Sequence, residues 1–148
     1  MEQKSNQGYF PFEGFLLPHI PNTDFWVERE YASVVHLCIY DRLHDGNERF
    51  RIKFSADGDD PEQRMRNWAN PECDAIELKG AHSSGYLIYT PGKAEPSGRV
   101  QGLAIFRVKQ GEQYKDCMSV LWFDPDLPAE EAVTLPEIQT LFSGLRLT

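Results

Sequence analysis

The sequence predicts an α+β fold, in which an antiparallel sheet of about six to seven strands is covered by a short middle helix and a C-terminal helix. Two observations carry this prediction. Runs with the alternation of β-strands occupy most of the chain, whereas the three- and four-residue spacing of helices occurs only within 61–69 and 130–145. Strands grouped together, with helices between and after the groups, are typical of α+β proteins.

The N-terminal region predicts a tail followed by a first strand. Residues 1–8 are polar, and we expect a flexible tail there, ahead of a single domain over residues 9–148. The segment 10–17 mixes aromatic residues with Gly and Pro and is expected to form the first strand. The segment 25–30 alternates in part.

A hairpin is predicted where the apolar run Val34–Asp41 is followed by an Asp45-Gly46 turn and the segment 49–54. Asp-Gly between two strand-like runs is a strong hairpin signal, because the favoured two-residue turns need positive φ angles. In the second strand of this hairpin, alternation predicts one apolar and one basic face. The residues expected to face inward are Phe50, Ile52 and Phe54, and those expected to face outward are Arg49, Arg51 and Lys53.

A short helix is predicted over 61–69. Asp60 is a favourable N-cap, and Pro61 suits the first helical position, where no amide hydrogen is needed. Met65 and Trp68 lie three residues apart and are expected to face the core.

The second half of the chain predicts four more strands and a closing helix. The strands are expected at 75–78, 85–90, 100–109 and 117–123, and the helix within 130–145. Pro136 fits the first turn of that helix, and Gly144 fits its end. The last two strands form a long hairpin.

Composition restricts the possible functions. The formal net charge is -8, which opposes binding to nucleic acid or to anionic membranes. The chain shows neither a secretory leader nor an apolar run of membrane-spanning length, so we expect a cytoplasmic protein. Three scattered cysteines form no CxxC pair, and Cys38 and Cys117 lie in apolar runs typical of buried thiols.

The sequence contains no recognisable catalytic motif. The acidic group at 57–62 lacks the spacing of a calcium-binding EF-hand loop and is better explained as helix capping. The glycines around Ser83 and Ser84 do not match a nucleophile elbow, and the four histidines lack metal-binding spacing. We therefore predict no catalytic residue, metal or cofactor.

The residues from Asp116 to Leu145 include six acids and neither Lys nor Arg. A solvated helix face explains part of this bias, but aromatic and apolar residues beside acids are also used to recognise a basic partner. The predicted partner-binding residues are Trp122, Phe123, Asp124, Asp126, Leu127, Glu130 and Glu131.

The order of elements over 61–147 resembles the Mog1/PsbP-like fold, which includes small acidic adaptor chaperones of type VI secretion effectors. The resemblance is carried by the helix at 61–69, the long hairpin of 98–123, the Asp-Pro loop that follows it and the closing helix at 135–147. It implies a protein-binding role, with a sheet face or groove that accepts a partner helix. It transfers no functional residue.

Three functional hypotheses follow. The first is a non-enzymatic protein-binding module of a bacterial secretion or toxin system, either an adaptor chaperone or an immunity protein, whose effector or toxin partner offers a basic surface or an apolar helix. The second is a small-molecule-binding or enzymatic domain with a pocket in a curved sheet, using polar groups among His36, Tyr40, Glu77, His82 and Tyr86. The third is a structural subunit of an assembly. The sequence does not predict the oligomeric state.

Overall fold

The computed structural model describes residues 8–31, 34–41, 49–67, 73–90, 100–124 and 127–148. It confirms the predicted α+β class, with a seven-stranded antiparallel sheet in the order β3-β4-β5-β9-β8-β7-β6. A second sheet has three strands in the order β1-β2-β10. The strands are β1 (Tyr9–Phe12), β2 (Phe15–Pro18), β3 (Thr23–Tyr31), β4 (Val34–Asp41), β5 (Phe50–Ser55), β6 (Asp74–Lys79), β7 (Ser83–Tyr89), β8 (Val100–Gln110), β9 (Gln113–Phe123) and β10 (Arg146–Leu147). The helices are α1 (Pro61–Asn67), α2 (Ala129–Ala132) and α3 (Pro136–Gly144).

The N-terminal prediction of one strand over 10–17 is wrong. Two strands, β1 and β2, form a hairpin whose turn places Glu13 and Gly14 at φ angles of 51° and 91°. The apolar residues of β2 are all buried because this strand pairs with β1 on one side and with β10 on the other. Of the expected tail, only Gly8 is described, and its carbonyl accepts a hydrogen bond from the His19 amide at 2.6 Å.

The predicted hairpin of β4 and β5 is confirmed, and its Asp45-Gly46 turn lies outside the described residues. Phe50, Ile52 and Phe54 are buried, as alternation predicts, and Arg51 is exposed. Arg49 is the exception, because it lies one residue before β5 and turns its side chain towards α3.

The helix at residue 61 begins as predicted. The Glu62 amide donates to the Asp60 carboxylate at 3.0 Å, and the first helical bond joins the Arg64 amide to the Asp60 carbonyl. Met65 is half-buried, whereas Trp68 and the predicted end of the helix lie outside the described residues. The strands of the second half are longer than predicted, chiefly β9, which begins at Gln113.

The closing helix predicted within 130–145 is α3, with Pro136 in its first turn and Gly144 at its end as expected, and the short helix α2 before it was not predicted. Leu135 has φ −61° and ψ 138°, the extended conformation that a following proline favours. Pro136 therefore starts a new helix instead of continuing the first one. The chain leaves the helical conformation again at Leu145 and adds β10 to the small sheet.

The core lies between the small sheet with α3 and one face of the large sheet, here called the inner face. Aromatic edge contacts join the two layers: the Phe15 and Phe54 rings are 5.5 Å apart, and the Phe106 and Phe142 rings are 4.7 Å apart. The Ser83 hydroxyl also donates to the Phe142 carbonyl at 2.9 Å. These contacts fix α3 against the sheet.

The opposite, outer face of the large sheet is covered by α1 near β7 and β8. The Tyr86 hydroxyl donates to Glu62 at 2.5 Å, and the Arg107 guanidinium lies 3.6 Å from Asp60. The Arg107 side chain also bonds Asp116 on the neighbouring strand at 2.8 and 3.0 Å. Helix α1 is thereby held at one side of this face, away from β3 and β4.

An ion cluster joins the large sheet to α3. The Arg49 guanidinium bonds both carboxylate oxygens of Asp41, at 2.8 and 3.2 Å, and one oxygen of Glu137 at 2.9 Å. The Asp41 side chain is wholly buried, and the Glu137 side chain is 9% exposed. Hydrogen bonding to Asp41, followed by that to Glu137, raises the Arg49 pKa above its usual value.

We predict that Arg49→Met lowers the free energy of unfolding by about 3 kcal/mol, because it leaves two carboxylates without their cation. The value is at the low end for a buried pair since the Arg49 side chain is 23% exposed. Urea denaturation measures the loss. The matched variant with Asp41→Asn, Arg49→Met and Glu137→Gln lacks unpaired charges and should recover part of it. Equal losses in both variants would contradict an electrostatic origin.

Gly85 in β7 lies against the backbone of the paired strand β8. A Cβ atom at this position would overlap the carbonyl oxygen of Ile105 in the paired strand. We predict that Gly85→Ala costs about 3 kcal/mol through strand displacement, near the upper range for overpacking. The neighbouring exposed Ser84→Ala is the control and should change the thermal midpoint little. A Gly85→Ala protein as stable as the control would show that the strands can separate without cost.

Candidate functional site

The outer face carries a row of large side chains over four adjacent strands, here called the aromatic row: Trp26, Tyr40, Arg51 and Trp122. The Trp26 and Tyr40 rings are stacked, with centroids 4.3 Å apart and planes inclined by 16°. The Arg51 guanidinium lies 4.8 Å from the centre of the Tyr40 ring, within the range of cation–π attraction. Arg51 in turn pairs directly with Trp122 in the sheet register.

The row follows from strand alternation and register. Tyr40 is opposite Arg51, and Arg51 is opposite Trp122, so the three side chains share one face. Trp26 is opposite Cys38 and therefore reaches Tyr40 diagonally. The adjacent positions alternate to the inner face and are buried: Ile39, Ile52, Leu121 and Phe123.

Half-buried apolar residues extend the row along the outer face. Val120 lies two residues before Trp122 in β9, and it is opposite Lys53 on one side and Leu103 on the other. Met118, Val120 and Leu103 are all half-buried. The outer face thus offers a continuous apolar strip beside the aromatic row.

Charged residues border this strip. Asp24 and Glu28 flank Trp26 on β3, both exposed, and Asp124 follows the end of β9. The Lys53 ammonium lies 3.8 Å from the Glu28 carboxylate. The border is therefore mainly acidic around Trp26. The basic groups of this face contact their neighbours, Lys53 the Glu28 carboxylate and Arg51 the Tyr40 ring.

The structure divides the predicted partner-binding residues between two sides of the sheet. Trp122 is on the outer face in the aromatic row, and Asp124 follows it, with its amide donating to the Arg49 carbonyl at 2.9 Å. Phe123 is wholly buried in the core, and Leu127 packs against the same core. These two side chains stabilise the fold and do not lie on the surface that Trp122 occupies.

The acidic residues of α2 belong to the inner side. Glu130 and Glu131 are exposed, while the alanines at both ends of α2 are buried in the core. Burial, and then the nearby Glu130 charge, raise the pKa of Tyr89, which lies on the inner face. Asp126 lies outside the described residues. The predicted set therefore does not form one surface.

Sequence reasoning missed Trp26 and Arg51 as members of the site. The signal was present in β3, where Asp24, Trp26 and Glu28 alternate with Phe25 and Val27. Linking β3 to Trp122 requires the strand order, which places β9 beside β5 although the 57 residues of 56–112 lie between the two strands in the chain. That pairing is not visible in local alternation.

The polar groups proposed for a ligand pocket do not converge. His36 and Tyr40 share the outer face of β4, and the His36 Nδ1 atom lies 2.8 Å from the Ser55 hydroxyl. Tyr86 is four strands away, about 19 Å at normal strand spacing, and bonds α1 instead. His82 lies in the turn before β7, beside an open depression lined also by Arg107 and Lys109.

Two thiols are buried, as the sequence predicts. Cys38 is opposite Trp26 on β4, and its thiol donates to Glu28 at 3.2 Å. Burial, and then this carboxylate, raise the Cys38 pKa to about 11. Burial also raises the pKa of Cys117. Both thiols therefore stay protonated at neutral pH and are poor nucleophiles.

Comparison of the chain with protein-family models, with curated protein sequences and with solved structures gave no match. Within the described ranges, no group of three or more His, Cys, Asp or Glu side chains is arranged to hold a metal ion. None of the described helices has both the length and the apolar character needed to span a bilayer.

We predict that stability decreases as pH rises from about 9 towards 11. Cys38, Cys117 and Tyr40 have raised pKa values in the folded protein, so the unfolded chain releases these protons first and is favoured by alkali. Urea midpoints at about pH 8 and pH 10 measure the effect. The Cys38→Ala variant should show a smaller decrease over this interval. An equal decrease in that variant would mean that Cys38 does not contribute.

Proposed function

We propose that this chain is a non-enzymatic protein-binding module that holds its partner on the outer face, at the aromatic row. The observation that carries the proposal is the exposed stack of Trp26 on Tyr40. The Trp26 side chain is 52% exposed although a core is available on the other side of the sheet. Trp, Tyr and Arg are the residues that dominate binding energy at protein interfaces, and the row consists of these types alone.

The geometry of the aromatic row favours binding because its side chains are already held in place before a partner docks. Trp26 is held by stacking on Tyr40, and the Arg51 guanidinium lies against the Tyr40 ring. All four residues are on paired β-strands rather than on loops. Side chains that are already fixed in the free protein lose less conformational entropy when a partner docks.

The charge distribution indicates the chemistry of the partner. Asp24 and Glu28 flank Trp26, and the whole chain carries a net charge of -8. A partner with a basic surface around an apolar segment would complement both the acidic border and the half-buried strip beside Trp122. Such complementarity accelerates association and disfavours acidic competitors, including nucleic acid.

Within this proposal, the module is an accessory of a bacterial secretion or toxin system that acts in the cytoplasm. It would serve as an adaptor chaperone or as an immunity protein, with an effector or toxin as its partner. The support is the acidic composition together with the resemblance of element order over 61–147 to the Mog1/PsbP-like fold. The same resemblance favours a sheet face as the binding surface.

Co-expression of the tagged chain with the product of each adjacent gene tests the proposal. We expect one neighbour to co-purify, and Trp122→Ala combined with Arg51→Ala to weaken that association about tenfold or more. Tyr114→Ala is the control, because Tyr114 is an exposed aromatic residue at the other end of β9, outside the aromatic row. Failure of every neighbour to bind at micromolar concentration, or equal losses in the control, would refute the proposal.

A further inference from the structure

Strand β3 forms one edge of the large sheet. Within the described part of the chain it pairs with β4 alone. Its residues Asp24, Trp26, Val27, Glu28 and Arg29 are all exposed. The register is regular from Thr23 to Arg29, and an irregularity follows only before Tyr31.

Two large apolar side chains are exposed next to each other on this edge. Trp26 is 52% exposed and Val27 is 47% exposed. Because they are consecutive in a strand, they lie on opposite faces of the sheet. Val27 shares the inner face with Leu37, to which it is paired, whereas Trp26 belongs to the aromatic row. A partner that covers both must therefore reach both faces.

We infer that β3 is the docking edge for an extended segment of the protein partner, which pairs with it as an eighth strand of the large sheet. The inference rests on the proposed function and names how that partner is held. A helix lying on the outer face would cover Trp26 and leave Val27 exposed. An added strand places side chains beside both residues and can form backbone hydrogen bonds along the edge of β3 that faces away from β4.

The charges on β3 specify the side chains of the added strand. On the outer face the order is acid, Trp, acid, from Asp24, Trp26 and Glu28. The complementary face of the partner is basic, apolar, basic, since opposite charges across two strands stabilise a pair. On the inner face, the exposed Val27 selects an apolar residue.

A second copy of the chain is a poorer occupant of the same edge. Antiparallel self-pairing centred on Trp26 places Asp24 opposite Glu28 twice, and pairing centred on Glu28 places two copies of Glu28 opposite each other. Pairing centred on Val27 places Asp24 opposite Glu30 twice. Like charges directly opposite destabilise a sheet, so the edge favours a different, basic strand.

The test uses a synthetic peptide with the sequence Glu-Lys-Val-Val-Thr-Lys between Gly-Ser flanks. In antiparallel register these six residues face Arg29, Glu28, Val27, Trp26, Phe25 and Asp24. Titration of the isotope-labelled full chain to millimolar peptide, followed by amide chemical shifts, should move the amides of β3. Two further peptides carry N-methyl groups on the odd or on the even residues. At least one of them should bind about tenfold more weakly than the unmethylated peptide, because its hydrogen bonds to the edge of β3 are lost.

Two variants separate strand addition from docking on the outer face. Val27→Lys, on the inner face, should weaken the peptide about tenfold under strand addition. It should leave binding unchanged if the peptide lies on the outer face alone, and that result would overturn the inference. Val27→Thr keeps a β-branched residue at the position and should bind the peptide more tightly than Val27→Lys. Tyr114→Ala serves as the control for both.

The remaining outcomes are also decisive. The absence of β3 shifts at millimolar peptide would overturn the inference, as would concentration-dependent dimerisation of the chain that Val27→Lys abolishes. Either result leaves the proposed function to be tested separately, by the loss of the co-purifying neighbour in the variant with Trp122→Ala and Arg51→Ala. Conversely, β3 shifts without any co-purifying neighbour would support an edge site and contradict the wider proposal.

Discussion

The ion cluster around Arg49 is the contact on which the arrangement of the layers depends. Arg49 stands between β4 and β5 in the sequence, yet its guanidinium joins the buried Asp41 carboxylate to Glu137 on α3. Buried carboxylates are tolerated only when a cation and hydrogen bonds compensate them. Asp41 also accepts the Arg49 amide at 3.0 Å, so the start of β5 and the position of α3 are fixed together. The inner face can then close over the phenylalanine core.

Because the inner face is covered, the outer face is the side of the large sheet that stays accessible near β3, β4 and β9 within the described residues. The small sheet, α2 and α3 bury one face of the large sheet, and α1 is held over β7 and β8 by Tyr86 and Arg107. Aromatic side chains on β3, β4 and β9 that alternate away from the core have no layer over them within the described residues. Their stacking on one another, rather than packing in a core, keeps Trp26 and Tyr40 ordered. The fold therefore leaves an organised apolar surface where most sheets would carry polar residues.

Local patterns in the sequence predict much of this fold and less of the site. Alternation predicted the buried Phe50, Ile52 and Phe54, and capping chemistry predicted the start of α1. The Glu13-Gly14 turn and the short helix α2 are not predicted, whereas Pro136 does lie in the first turn of α3 as expected. The proposed binding surface depends on β5 pairing with β9, a contact between distant segments that no local spacing encodes. The grouping of Phe123 with Trp122 is an error of a different kind, because one-residue alternation already places them on opposite faces.

Trp26 connects the face and the edge into one surface. As part of the aromatic row it is stacked on Tyr40, and as part of β3 it lies beside the exposed Val27. A strand added to β3 would lengthen the row by one member, because its outer-face residues would stand beside Asp24, Trp26 and Glu28. Backbone pairing would then set the position of the partner, and contacts with the row would select its side chains. The acids that flank Trp26 would determine the charge of the preferred strand, because like charges oppose self-pairing of the edge and opposite charges favour a basic partner.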